Sequence, residues 1–288
     1  MTGRPGRPTI VAMASTTTGT PVRDLLISAL EAARAGRPEA AENLVAEALS
    51  RAPDHPEALH MQGALLLQAG RAPEAVAPLR RAHEAVPDHA GFAANYGIAL
   101  VDSGKPEAAE PILRHACTLA PPHPQALLNL ALLVKRRGAT GEAETLLQRA
   151  TQLGQGYPRA WLELGVLAAA RGDDERALAC FDMVLSLEPD HPGARLNAAM
   201  ALQRRHCFVE ALAHYEACRE ALADSPDLYF GLGLCLQELG RLDEAFAVYR
   251  QFLKLAPQAY AQVLKNLTSA SSGKFWLRPS TLRKALGL

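Results

Sequence analysis

The sequence predicts an all-α fold, an α-solenoid of seven helix pairs closed by a C-terminal capping helix. Three observations carry that expectation. Shifting the chain against itself by 34 residues aligns Ala41, Ala75, Ala109, Ala143, Ala177, Ala211 and Ala245 in one column without a gap. Composition alone would make a chosen column all alanine about once in 10⁵, so an internal repeat is the natural explanation. Alanine supplies 54 of the 288 residues and aromatics only 5%, which favours helix over sheet. Large apolar residues also recur three and four apart on both sides of a regularly placed glycine, the pattern of two amphipathic helices joined by a tight turn.

Residues 1–21 lack acids and are rich in Gly, Pro and Thr, which suits a disordered arm and, less closely, an organellar transit peptide. Seven 34-residue units then start at residues 22, 56, 90, 124, 158, 192 and 226 and end at residue 259. Proline at the first position (Pro56, Pro124, Pro158, Pro192, Pro226) opens the first helix, where its missing N–H is harmless. The eighth position reads Ala29, Gly63, Gly97, Ala131, Gly165, Ala199 and Gly233. Together with the alanine at position 20, it lets paired helices approach, while bulky residues at positions 4, 7, 11 and 24 fill the space beside them. The fifteenth position reads Gly36, Gly70, Gly104, Gly138, Gly172, His206 and Gly240, a left-handed cap in all units but the sixth. Pro53, Pro87, Pro121, Pro189 and Pro257 end second helices.

Two places depart from the pattern. Leu153-Gly154-Gln155-Gly156 stands where a proline junction is usual, and His206-Cys207 replaces the turn glycine of the sixth unit. Both should be loose, with bending concentrated at Gly154-Gln155-Gly156. Pro78 and Pro111 fall inside second helices and should bend them outward. After the units, residues 260–270 carry Tyr260, Val263, Leu264 and Leu267, the apolar face of a capping helix. An aromatic-basic tail, residues 271–288, contains Lys274-Phe275-Trp276-Leu277-Arg278.

Thirty basic and 30 acidic residues leave no net charge, so the electrostatic footprint of a nucleic-acid binder is missing. The five cysteines are odd in number and form no C-x-x-C pair, so neither a disulfide framework nor a zinc site is indicated. A reducing compartment follows, and a cytoplasmic location is expected. No apolar run approaches the roughly 20 residues of a membrane span. The sequon Asn266-Leu267-Thr268 would matter only in a secreted protein.

His55, His89, His123 and His191 all occupy position 34. Equivalent positions in stacked units lie roughly 10 Å or more apart, too far for one metal ion, so Asp54-His55-Pro56 and Asp190-His191-Pro192 read as helix caps. No nucleotide, zinc-protease or nucleophile-elbow motif occurs, and 29 residues after Ala259 are too few for a catalytic domain. No catalytic residue, cofactor or metal is expected.

The fifth unit, with Trp161, Leu164, Gly165, Ala177, Phe181 and Pro189, resembles the tetratricopeptide repeat family, and the resemblance covers 238 of 288 residues. It implies a right-handed superhelix whose first helices line a concave face that holds a partner segment. Positions 2, 5, 6, 9, 12 and 13 point there and are mainly apolar. The expected partner-binding residues, around the third to sixth units, are Asn95, Ile98, Leu128, Asn129, Leu132, Lys135, Arg136, Val166, Asn197, Met200 and Arg204. The asparagines would hold a peptide backbone and the cations would favour acidic flanks. Such a stripe is more often core than ligand site, since superhelical winding would itself bury part of it, and an exposed remainder would be the binding groove.

Asn95, Asn129 and Asn197 resemble the asparagine ladder of O-linked N-acetylglucosamine transferase repeats, broken here by Ile27, Met61, Glu163 and Gly231. Asn95, Asn129, Lys135, Arg136 and Arg159 approximate the chaperone-type clamp for an acidic C-terminus, diluted by Asp102 and Glu163. The expected function is a non-catalytic protein-interaction scaffold. The alternative is a targeting or substrate-presenting subunit of a separately encoded modifying enzyme such as a glycosyltransferase. Phe275, Trp276 and Leu277 either dock onto the array, in cis or as the contact of a homo-oligomer, or form a partner or membrane-surface motif.

Overall fold

The computed structural model describes residues 21–153 and 157–269. Among them every regular element is helical, and the chain divides into two compact units after residue 155. In the first, α1 (Pro21–Arg34) pairs with α2 (Pro38–Arg51), α3 (Pro56–Gln68) with α4 (Ala72–Ala85), α5 (Ala90–Asp102) with α6 (Pro106–Thr118), and α7 (Pro124–Arg136) with α8 (Thr140–Leu153). In the second, α9 (Pro158–Ala170) pairs with α10 (Asp174–Leu187), α11 (Pro192–Arg204) with α12 (Phe208–Ala217), and α13 (Pro226–Glu238) with α14 (Leu242–Leu255). A 3₁₀ turn, Pro257–Ala259, then leads into α15 (Tyr260–Ser269). The fold is thus an all-α repeat solenoid. The division falls in the junction where bending is expected, but Gly154-Gln155-Gly156 lie outside the described residues, as do residues 1–20 of the N-terminal arm and the tail; Pro21 already opens α1.

The small-residue columns explain how each pair closes. All seven position-20 alanines are completely buried. Position 8 meets position 24 of the same pair: a Cβ on Gly63 would stand 2.3 Å from Leu79 Cγ, on Gly97 2.6 Å from Leu113 Cγ, and on Gly165 2.4 Å from Phe181 Cε1. A glycine there lets a Leu, Phe or Tyr lie directly across the partner helix, so the core is built pair by pair from one missing and one bulky side chain.

The turns follow the same logic. Six position-15 glycines have φ between 69° and 85°, and His206 takes φ 60° in the sixth unit. Its turn closes as the others do, with Cys207 N–H on the Leu202 carbonyl at 2.9 Å, as Asp173 N–H meets the Ala168 carbonyl at 3.0 Å. The sixth unit departs elsewhere: α12 stops at Ala217 after 10 residues and residues 218–224 continue as turns. An L-residue in the left-handed region costs about 1–2 kcal/mol, and glycine's larger unfolded-state entropy returns about half of that. His206→Gly should therefore raise stability by about 0.5–1 kcal/mol, measured as a shift in the urea midpoint at unchanged m-value. Pro78 and Pro111 are each accommodated inside one uninterrupted helix, α4 and α6.

The position-34 histidines are N-cap residues, as expected. His89 Nδ1 accepts the Phe92 N–H at 3.2 Å, and His191 Nδ1 accepts the Ala194 N–H at 3.1 Å. His55 and His123 occupy the same place without a side-chain cap. In the first unit a second device ties neighbouring pairs. At position 26, Arg81 donates to the Pro53 carbonyl at 2.9 Å, His115 Nε2 to the Pro87 carbonyl at 3.2 Å, and Arg149 to the Cys117 carbonyl at 3.3 Å. Each reaches a carbonyl at or just beyond the end of the preceding second helix: Pro53 and Pro87 follow α2 and α4, and Cys117 lies in the last turn of α6. In the second unit that position holds Met183, Ala217 and Gln251.

Candidate functional site

One side of the first helices bears positions 5 and 9, and the two units differ there. In the first unit α3, α5 and α7 pack against one another in sequence. Position 5 (Leu26, His60, Ala94, Leu128) is buried throughout. Asn95 is 0% exposed and its Nδ2 donates to His60 Nε2 at 2.8 Å. Ile98 and Leu128 are each 3% exposed. These three are therefore corrected from groove residues to core residues: neighbouring first helices cover their positions. Asn129 is half-buried and donates to the Gln125 carbonyl of its own helix at 2.8 Å, while Leu132 and Lys135 are half-buried and Arg136 is exposed.

His60 is a buried, neutral imidazole. Its ring lies 4.6 Å from that of Phe92, and a backbone hydrogen bond joins it to Gly91. Burial, and after it the neighbouring His89 and His123, push its pKa down to about 3. Burial followed by His89 takes His123 down to about 4. No group of three His, Cys, Asp or Glu able to hold a metal ion occurs among the described residues.

The second unit leaves its stripe open. Leu162, Leu196 and Phe230 at position 5, and Val166 and Leu234 at position 9, are half-buried, and Met200 is 36% exposed. Six apolar side chains on α9, α11 and α13, consecutive neighbours in the packing, thus keep solvent-facing surface. Asn197 stands among them and gives one amide hydrogen to the Gly193 carbonyl at 2.7 Å. Arg204 donates from Nε to Asp174 Oδ1 at 2.8 Å and reaches the same oxygen through a second nitrogen, so its charge is already neutralised locally. Of the predicted residues, Val166, Asn197 and Met200 come together on this face. Phe275, Trp276 and Leu277 lie outside the described residues.

Sequence reasoning missed a buried polar ladder in this unit. Tyr215 donates to Gln203 Oε1 at 2.8 Å, and 34 residues on Tyr249 donates to Gln237 Oε1 at 3.1 Å. Burial raises both phenols above their ordinary pKa. Gln237 Nε2 in turn donates to the Asn266 carbonyl of α15 at 3.1 Å, tethering the last helix to α13. The recurrence of Gln at position 12 and Tyr at position 24 in the last two units was the available signal.

No helix among the described residues is long and apolar enough to cross a membrane. No curated protein matches the chain. Solved structures do match in fold. PilF of Pseudomonas aeruginosa aligns at TM-score 0.64 with 23% identity, over 73% of this chain and 96% of that one. PilW, described as a widely conserved type IV pilus biogenesis factor, aligns at 0.63 with 20% identity, over 75% and 100%. A repeat protein of Parabacteroides merdae aligns at 0.54 with 17% identity, over 86% and 97%. Profiles described as tetratricopeptide repeat match residues 28–90, 100–160 and 134–202, and one described as YpiA-like C-terminal tetratricopeptide repeats matches residues 192–259. These profiles run over the same helix pairs whose position-20 alanines are buried in every unit, and the chain belongs to the tetratricopeptide repeat family.

Proposed function

We propose that the protein is a non-catalytic scaffold that holds an apolar segment of a protein partner against the side of its second unit that bears positions 5 and 9. The observation that carries this reading is the stripe Leu162, Val166, Leu196, Met200, Phe230 and Leu234, which keeps solvent-facing surface at every position, whereas in the first unit all of position 5 and, at position 9, Ala64 and Ile98 are buried and only Leu30 and Leu132 are half-buried. Covering about 300 Å² of apolar surface there would contribute roughly 8 kcal/mol before the costs of association; once several kcal/mol are lost to ordering, about 4–5 kcal/mol remains, a dissociation constant of about 0.2–1 mM that polar contacts to the partner would tighten. Asn197 sits where its amide can meet a partner backbone. The five unpaired cysteines, four of them buried, support a reducing, cytoplasmic setting as part of the same proposal.

The test is affinity capture with mass spectrometry, using the wild-type chain and a Met200→Glu/Leu234→Glu variant, which places two charges on the open stripe. Captured partners should fall at least tenfold in the variant while its circular dichroism stays helical. Asn129→Ala/Leu132→Ala, on the first unit, should retain them. Partners held equally by the stripe variant would refute the reading. Recovery of one stoichiometric enzyme would favour the alternative, a targeting subunit of a separately encoded modifying enzyme.

A further inference from the structure

We infer that the open stripe of the second unit is the docking site of the chain's own C-terminal segment, residues 270–288, which competes there with the partner. This rests on the groove reading above and names the groove's resident occupant.

Three observations lead to it. First, the stripe is apolar and uncovered among the described residues, on α9, α11 and α13. Second, the described chain is tied to one of the stripe's helices shortly before it ends. The Gln237 bond to the Asn266 carbonyl holds α15 against α13, the helix that carries Phe230 and Leu234, and Ser269 is only three residues further on. Third, the following 19 residues hold one of the chain's two tryptophans, in Phe275-Trp276-Leu277.

Reach is sufficient. Six to eight residues beyond Ser269 extend about 20–28 Å at 3.3–3.6 Å per residue. Neighbouring helices stand about 10 Å apart, so α13 to α9 is a span of about 20 Å. Two aromatics and a leucine match a face whose open side chains are Leu, Val, Met and Phe.

Attachment decides the energetics. A short tether presents the tail at an effective concentration of about 1 mM, so an intrinsic dissociation constant of about 100 μM suffices to lower a competitor's apparent affinity about tenfold. A free partner or a second copy must reach a comparable concentration in solution. The tail is therefore a built-in competitor, and a partner that takes the groove must displace it.

The experiment uses the full chain and a fluorescently labelled peptide of residues 270–288 as probe. The peptide should bind the Phe275→Ser/Trp276→Ser chain about tenfold more tightly than the wild type, whose groove is already occupied. That gain should disappear when Met200→Glu and Leu234→Glu are added. Equal binding to wild type and tail variant, binding to neither, or binding unaffected by the groove substitutions would each overturn the inference. So would a wild-type dimer in sedimentation that the tail substitutions dissolve, because the occupant would then be a second copy's tail. If the peptide result fails while Met200→Glu/Leu234→Glu still abolishes partner capture, the groove reading stands and only the resident occupant is wrong.

Discussion

Gly165→Val should lower the stability of the second unit by about 3 kcal/mol. A Cβ at Gly165 would lie 2.4 Å from Phe181 Cε1 and 2.8 Å from Cδ1, well inside contact distance. Phe181 is completely buried, so its ring has no solvent to swing into and the helices α9 and α10 must part. Overpacking of a closed core costs about 1–3 kcal/mol, and valine's extra methyls place this substitution at the upper end. Valine's better helix propensity returns only a few tenths. Phe181→Ala alone should cost about 3–5 kcal/mol through the cavity it leaves. The double variant should be less destabilised than the sum, because valine then fills part of that cavity, and the coupling is read from a double-mutant cycle of urea midpoints. Gly141→Ala, with nothing within 4 Å of its added Cβ, is the control and should leave stability unchanged or slightly raised. Additive costs for Gly165 and Phe181 would show that positions 8 and 24 do not share one space.

Acidification from pH 7.5 to pH 5 should destabilise the first unit by about 2 kcal/mol for each of His60 and His123. Both have folded-state pKa values lowered from 6.5, to about 3 and about 4, with burial as the leading cause. A histidine held neutral in the fold stabilises fully above its unfolded value of 6.5 and loses that contribution as pH falls below it. Between pH 6.5 and pH 5 the unfolded chain gains a proton that the fold refuses, about 1.5 units at about 1.4 kcal/mol each. The groups bearing on His60 are His89 and His123, which repel a proton, and its own hydrogen bond takes the Asn95 amide N–H as donor. Protonation would therefore set two donors face to face. His60→Phe should flatten the pH slope by about one histidine's share, at the cost of lower stability at pH 7.5, where Asn95 loses its acceptor. A slope unchanged by His60→Phe, measured by urea denaturation at both pH values, would refute the assignment.

How much of this was legible in sequence depends on whether a residue acts within its own unit or across units. The facing of positions 8, 20 and 24 is an intra-unit relation repeated seven times, so Ala177, Gly165 and Phe181 announce their roles by column. The turn geometry was legible at the six glycines, but at His206 a loose turn was expected and the turn instead closes in the left-handed conformation. The fate of the side bearing positions 5 and 9 was not legible. A leucine at position 5 has the same column whether it is buried, as with Leu128, or half open, as with Leu196. His60 and Asn95 occupy different positions in consecutive units, 35 residues apart, so a search at the 34-residue shift passes over the pair. The tie from Arg204 to Asp174 spans 30 residues and escapes for the same reason.

The position-26 donors have a consequence for synthesis. Arg81, His115 and Arg149 reach carbonyls 28, 28 and 32 residues earlier in the chain. As the polypeptide leaves the ribosome, each second helix keeps its end carbonyls in water until the next unit's second helix has emerged to cap them. Order of assembly in the first unit is thus written into the direction of translation, each new pair completing the one before. Within the second unit, Ala217 and Gln251 provide no such latch. The order of assembly there therefore rests on contacts at other positions, such as the tie from Arg204 on α11 back to Asp174 on α10.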